Sequence, residues 1–136
     1  MIDVHDLMCG NWLYDTVLKK AVVFNNLPYG IDMTHREGIP VTEELLEKIG
    51  FKKHQILGDR FFWRYWGAEY RYKLDVDFDF CNSDRKFSIH IDNGDCETIG
   101  CGEFTYVHEL QNLVRINCKA DLPITKEVFD GLGNES

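Results

Sequence analysis

His108, Gln111, Asn112 and Arg115 recur at i, i+3, i+4 and i+7, the spacing that gathers side chains along one side of an α-helix. An imidazole, two amides and a guanidinium in one stripe could recognise a partner through hydrogen bonds. They could equally form a solvated helix face, or amides that bond neighbouring loops. A second set sits on strands. Alternation along them sets His90 between Asp77 and Glu97, with Asp75 opposite Asp92. Two carboxylates favour the protonated imidazole, and this donor set suits several metal ions. An exposed, salt-bridged face is the plainer reading, and no metal is assigned. Asp75-x-Asp77-x-Asp79 is no EF-hand loop, because the following Gly and the Glu at position twelve are missing. Cys96, Cys101 and His108 lie outside the paired spacings of zinc sites and are one ligand short.

The last set is basic. Arg60, Arg64, Arg71 and Lys73 stand against Glu69 alone in an otherwise acidic chain. Arg64, Trp66, Arg71 and Lys73, with Phe62 on the same strand face, could stack a base or hold a phosphate. They could also meet a partner's acidic patch. The plain alternative is that Trp66 covers the sheet edge while the arginines pair with acids. No Gly-x-Ser-x-Gly, phosphate loop or His-Glu-x-x-His is present. Nothing calls for a cofactor, and the motifs point away from an enzyme.

These side chains must be positioned by strands and short helices. Half of the aromatic residues lie between Phe61 and Phe80. From Glu69 to Phe80, Tyr70, Tyr72, Leu74, Val76, Phe78 and Phe80 alternate with Glu69, Arg71, Lys73, Asp75, Asp77 and Asp79. Such alternation marks a strand with one dry and one wet face, hence an antiparallel sheet. A two-residue turn at Gly67-Ala68 pairs Tyr65 with Tyr70, Trp63 with Tyr72 and Phe61 with Leu74, all facing the core, and sets Arg64 opposite Arg71. Matching apolar faces pairs Phe80 with Phe87, Phe78 with Ile89 and Val76 with Ile91. Asn93-Gly94 then reads as a two-residue hairpin turn that sets Cys96 opposite Ile91. The expectation is a four-strand meander over 60–101.

Helix signals flank the meander. Thr42 is a good N-cap, Glu43 and Glu44 suit the first turn, Lys48 the last, and Gly50 the C′ position, with Phe51 folding back on Leu46. Thr105 is placed as cap of a second helix, with Tyr106, Val107, Leu110, Leu113 and Val114 as its apolar stripe and the His108 set opposite. Pro123-x-Thr125 begins a third short helical turn. Trp12–Tyr14 and Ala21–Phe24 read as strands of a small barrel-like cluster, and 34–38 as loop. The fold class is α+β: an antiparallel meander with two or three short helices packed on one face. At 136 residues the chain is one domain, 1–136, with a disordered tail over 131–136.

The net charge of -8 disfavours nonspecific nucleic-acid binding. Five scattered cysteines, an acidic N-terminus and no apolar run of membrane length imply a cytoplasmic protein with reduced thiols and no membrane partner. Three blocks add a resemblance: Gly10-Asn11-Trp12, then Ile39 to Leu46 with Gly50-Phe51, then Tyr106 to Leu113. In this order they resemble small uncharacterised proteins of gut Bacteroidetes phages, prophages and conjugative elements. The resemblance spans most of the chain, its last block being the most specific. The chain departs from that group after Leu113, where it continues Val114-Arg-Ile-Asn-Cys-Lys119.

The resemblance implies a mobile-element origin and a cytoplasmic setting. The functional expectation is therefore an accessory protein, non-enzymatic, acting on a host or phage protein. Two alternatives stand beside it. One is a nucleotide- or nucleic-acid-linked module using the Trp66/Arg64/Arg71/Lys73 face. The other is an acidic mimic of nucleic acid with Asp75, Asp77 and Asp79 as its row. The oligomeric state is open.

Overall fold

A computed structural model describes residues 7–24, 35–57, 60–67, 71–78, 87–93, 95 and 97–130. The expected tail over 131–136, Tyr70, Asp79, Phe80 and Cys96 lie outside the described residues. The class is α+β with two antiparallel sheets. Strands β1 (Trp12–Asp15), β2 (Lys20–Val23) and β3 (Arg36–Gly38) form a three-stranded sheet in the order β2-β1-β3, an open sheet where a barrel-like cluster was expected. Strands β4 (Lys52–Leu57), β5 (Arg60–Trp66), β6 (Tyr72–Phe78), β7 (Phe87–Asn93) and β8 (Thr98–Phe104) form a five-stranded meander. Helix α1 (Glu43–Ile49) separates β3 from β4, helix α2 (Val107–Cys118) follows β8, and a short 3-10 turn spans Lys126–Phe129.

Helix α1 ends as its sequence dictates. The Thr42 hydroxyl accepts from the Leu45 N–H at 3.2 Å. Gly50 takes φ +125°, and the Phe51 N–H returns to the Leu46 carbonyl at 2.9 Å. Helix α2 begins one residue later than expected: Tyr106, not Thr105, is its N-cap. The reason is Glu109, whose carboxylate accepts from the N–H groups of both Thr105 and Tyr106 at 3.0 Å. Tyr106 thereby leaves the apolar stripe and is 39% exposed, while Val107, Leu110 and Val114 are fully buried.

All three hairpin registers of the meander differ from expectation. Trp63 pairs with Val76 and Tyr65 with Leu74. Leu74 pairs with Ile91, Val76 with Ile89 and Phe78 with Phe87. Ile91 pairs with Gly100 and Ile89 with Gly102. Up to the irregularity between Ile91 and Asp92 each slip is an even number of residues, so the alternation of dry and wet faces is kept. Trp63, Tyr72, Leu74, Val76, Phe87, Ile89 and Ile91 are all buried. What the slips change is the polar face. The expected registers opposed Arg64 to Arg71 and Asp75 to Asp92. The observed ones set Arg64 opposite Asp75 and Lys73 opposite Asp92. Two like-charge pairs become two ion pairs, a difference that cross-strand side-chain energies are large enough to decide.

The last hairpin has a further cause. The Asn93 carboxamide oxygen accepts from the N–H groups of Asp95 and Glu97, lengthening the turn, and the pairing is irregular between Ile91 and Asp92. Gly100 and Gly102 thereby come to the dry face beneath α2. A Cβ on Gly100 would lie 2.4 Å from Asn117 Oδ1, and one on Gly102 2.9 Å from a Leu113 methyl. Phe104 reaches Phe87, ring centroids 5.5 Å apart. The main core joins residues of α1, the meander, α2 and the 3-10 turn. Trp12, Tyr14 and Ala21 of the smaller sheet pack against it, while Leu13 and Phe24 form a second, minor core. Phe61, expected in the core, is 36% exposed at the β4 side, with the Lys53 ammonium 4.2 Å from its ring centre.

Candidate functional site

The stripe on α2 faces the small sheet rather than solvent. Gln111 is buried; its carbonyl oxygen accepts from the Trp12 N–H at 2.9 Å and its amide donates to the Gly10 carbonyl at 3.1 Å. Asn112 Oδ1 accepts from the fully buried Asn11 side chain at 2.9 Å. Arg115 donates to the Cys9 carbonyl at 2.6 Å and to Asp121 at 2.8 Å. His108 is buried, its ring parallel to that of Tyr106 at 5.8 Å. Glycine is required at position 10: its φ is +92°, and a Cβ would lie 3.0 Å from the Arg115 guanidinium. The stripe is thus a clamp on Cys9–Trp12. The segment Ile39–Val41 closes the same region through Val41 N–H to Thr105 O and Val107 N–H to Ile39 O. Gly10–Trp12 and Ile39–Val41 therefore both meet the chain segment Thr105–Arg115, the first along α2 and the second at its start.

The polar face of the meander holds the other candidates. One hydrogen-bonded row crosses it. Arg64 donates to both Asp75 oxygens, at 2.8 and 3.3 Å. Lys73 stands 3.6 Å from Asp75 and 3.2 Å from Asp92. Asp92 also accepts from the Thr98 hydroxyl at 3.2 Å, and His90 Nε2 is 2.9 Å from that hydroxyl. Aromatic rings flank the row. Phe62 stacks on His54 at 5.1 Å, with the Arg64 guanidinium 5.0 Å from its centre, and Trp66, 42% exposed, has the Lys73 ammonium 5.9 Å away. Arg71 is exposed at the same end but does not oppose Arg64.

Asp77, His90 and Glu97, the donor set weighed against a plain salt-bridged face, do not come together. Asp77 pairs with Ser88, and His90 sits between Asp75 and Cys101 rather than between Asp77 and Glu97. Among the described residues, no three His, Cys, Asp or Glu side chains are grouped to hold a metal ion. The zinc grouping fails as well. Cys101 lies between Gly100 and Gly102 on its strand and faces away from α2, where His108 resides.

The His90–Thr98–Asp92 set could be taken for a nucleophile and base. The Thr98 hydroxyl donates to Asp92 at 3.2 Å, and the direction of its 2.9 Å contact with His90 Nε2 is set by the ring's tautomer. Burial pushes the Cys118 thiol up to about 11, far from the range of reactive thiols.

The row was partly visible from alternation alone. The contributions of His54 and Thr98 were missed, because each depends on pairing that only the correct register supplies, and Asp92 was placed on this face but opposite Asp75 instead of Lys73. Comparison with protein-family models, with curated proteins and with solved structures finds no match. Among the described residues, no helix is long and apolar enough to cross a membrane.

Proposed function

We propose that the protein is a non-enzymatic binding module, a cytoplasmic accessory protein of a phage or other mobile element that acts by contact with a host or phage protein. The reading takes the helices to cover one face of the meander and the polar face to meet the partner. The Arg64–Asp75 pair is the observation that carries it. Its cation already has a carboxylate partner, and Lys73 stands between that same carboxylate and Asp92. A phosphate would have to displace those carboxylates, whereas a protein surface can lay apolar area on Phe62 and Trp66 and leave the row intact. Aromatic and arginine side chains ringed by satisfied polar groups are what protein contacts select.

The test is a Phe62→Ala/Trp66→Ala double variant in a pull-down from host lysate. Wild-type chain should retain a specific partner that the variant loses while still folding, as a cooperative melting transition shows. Absence of any specific partner for the wild type overturns the reading. A nucleotide- or oligonucleotide-binding module is the second reading, supported by two accessible rings beside Arg64 and Lys73. It predicts a thermal shift with a nucleotide or a short oligonucleotide, and flat responses to both sink it. The acidic-mimic reading has less support, since Asp75 is bound by Arg64 and Lys73.

A further inference from the structure

The meander ends in two unlike edges. β4 presents Lys52, Lys53 and His54, all exposed, and lysines on an edge discourage pairing with another chain. The strands of the small sheet have at most four residues each and carry Lys20 or Arg36 on their edges. β8 is seven residues long, has no Lys, Arg or Pro, and Glu103 is its one charge. Among the described residues no strand pairs with its outer side. Beyond the bend at Thr105 that side does accept a strand, the chain's own Ile39–Val41, through the Thr105 carbonyl and the Val107 N–H. Residues of the same parity, Cys101 and Glu103, therefore turn their N–H and C=O groups to the open edge.

We propose that β8 pairs antiparallel with β8 of a second copy, on a two-fold axis through Cys101, so that two five-stranded meanders become one continuous sheet. The register follows from the strand itself. Cys101 is its midpoint, so this axis alone uses all seven residues. It sets Ile99, 40% exposed, opposite the second copy's Glu103 and brings the two Cys101 residues face to face. An axis through Glu103 would oppose two carboxylates. A two-fold axis normal to the sheet also carries both α2 helices to one face, and each holds an exposed Ile116, 64% accessible. Both copies are acidic, so screening their net charge strengthens the pair.

Sedimentation or light scattering of the full chain over a concentration series tests this. The mass should rise from 15.9 kDa to twice that value, at lower concentration in high salt. Cys101→Lys, at an exposed position, places two ammonium groups on the axis and should hold the chain monomeric, melting as the wild type does at dilutions where the wild type is monomeric. Cys101→Ser should still dimerise. Diamide should cross-link the wild type through Cys101: two thiols give up two electrons and two protons to the diazene, which becomes the hydrazine, and one S–S bond forms. A Cys9→Ser background removes the other fully exposed described thiol, and peptide mass locates the bond. A monomer at every concentration overturns the proposal. So does a dimer that Cys101→Lys leaves intact, or a cross-link that does not involve Cys101.

Discussion

Asp15 shows how one side chain can hold a whole turn. One carboxylate oxygen accepts from the N–H groups of Val17 and Leu18, both at 2.9 Å, and the other meets Arg36 at 2.9 Å. The Leu18 bond contributes most to holding its pKa below the usual value of 3.8, against the opposing effect of burial, with Val17 and Arg36 adding to it. A carboxyl depressed in the folded state stabilises the fold fully above its unfolded value, and the contribution is lost as pH falls through the folded one. Asp15→Asn should therefore melt below wild type by a constant margin near neutral pH. That margin should shrink below pH 3.8. Calorimetry across the acid range checks it, and a margin that widens on acidification contradicts it. The Val17–Leu18 tip that this carboxylate holds remains exposed.

At the scale of elements, the meander illustrates how a register is chosen. Apolar matching left several registers equivalent, because any even slip keeps Trp63, Leu74, Val76, Ile89 and Ile91 together. The polar face breaks the tie through Arg64–Asp75 and Lys73–Asp92. Arg64→Glu should cost about 1 kcal/mol, and Arg64→Glu combined with Asp75→Arg should recover most of it, the scale of a cross-strand ion pair on a half-exposed face. Urea unfolding of the four species measures the coupling, and additive losses would mean that the pair does not set the register. Packing of α2 makes a second demand. Gly100→Ala must push aside the Asn117 carboxamide, which is itself anchored by a bond to the Leu113 carbonyl at 2.8 Å. Gly102→Ala meets only a mobile Leu113 methyl. The first should lose about 1–3 kcal/mol, as overpacked sites do, and the second clearly less. Equal losses in urea would argue against this close approach of α2 to β8.

At the scale of the whole molecule, the α+β class, the helix α1 with both its ends and the composition of the dry face were legible in the sequence. Each follows from short-range chemistry: a capping hydroxyl, a glycine at positive φ, strict alternation. β4 was not legible. It is an edge strand whose residues Lys52 to Gln55 are exposed on both faces, so no alternation marks it. β3 is three residues long and owes its pairing to β1 alone. The stripe on α2 read equally as a recognition surface, a solvated face or amides bonding neighbouring loops, and periodicity could not choose among them. What covers it is the Cys9–Trp12 segment, a hundred residues away in sequence, and helical periodicity knows nothing of such a partner. With the registers corrected, the candidate residues separate into two groups: a clamp that joins the two sheets and an accessible face that could meet a partner. Thermal melting of two single variants tests that division most directly. Gln111→Ala, which leaves the Trp12 N–H and the Gly10 carbonyl without their partner, should lose about 1–3 kcal/mol, the cost of unsatisfied buried groups. Trp66→Ala, on the accessible face, should lose less than about 1 kcal/mol. The reverse order, a tolerant Gln111 and an intolerant Trp66, would contradict the account.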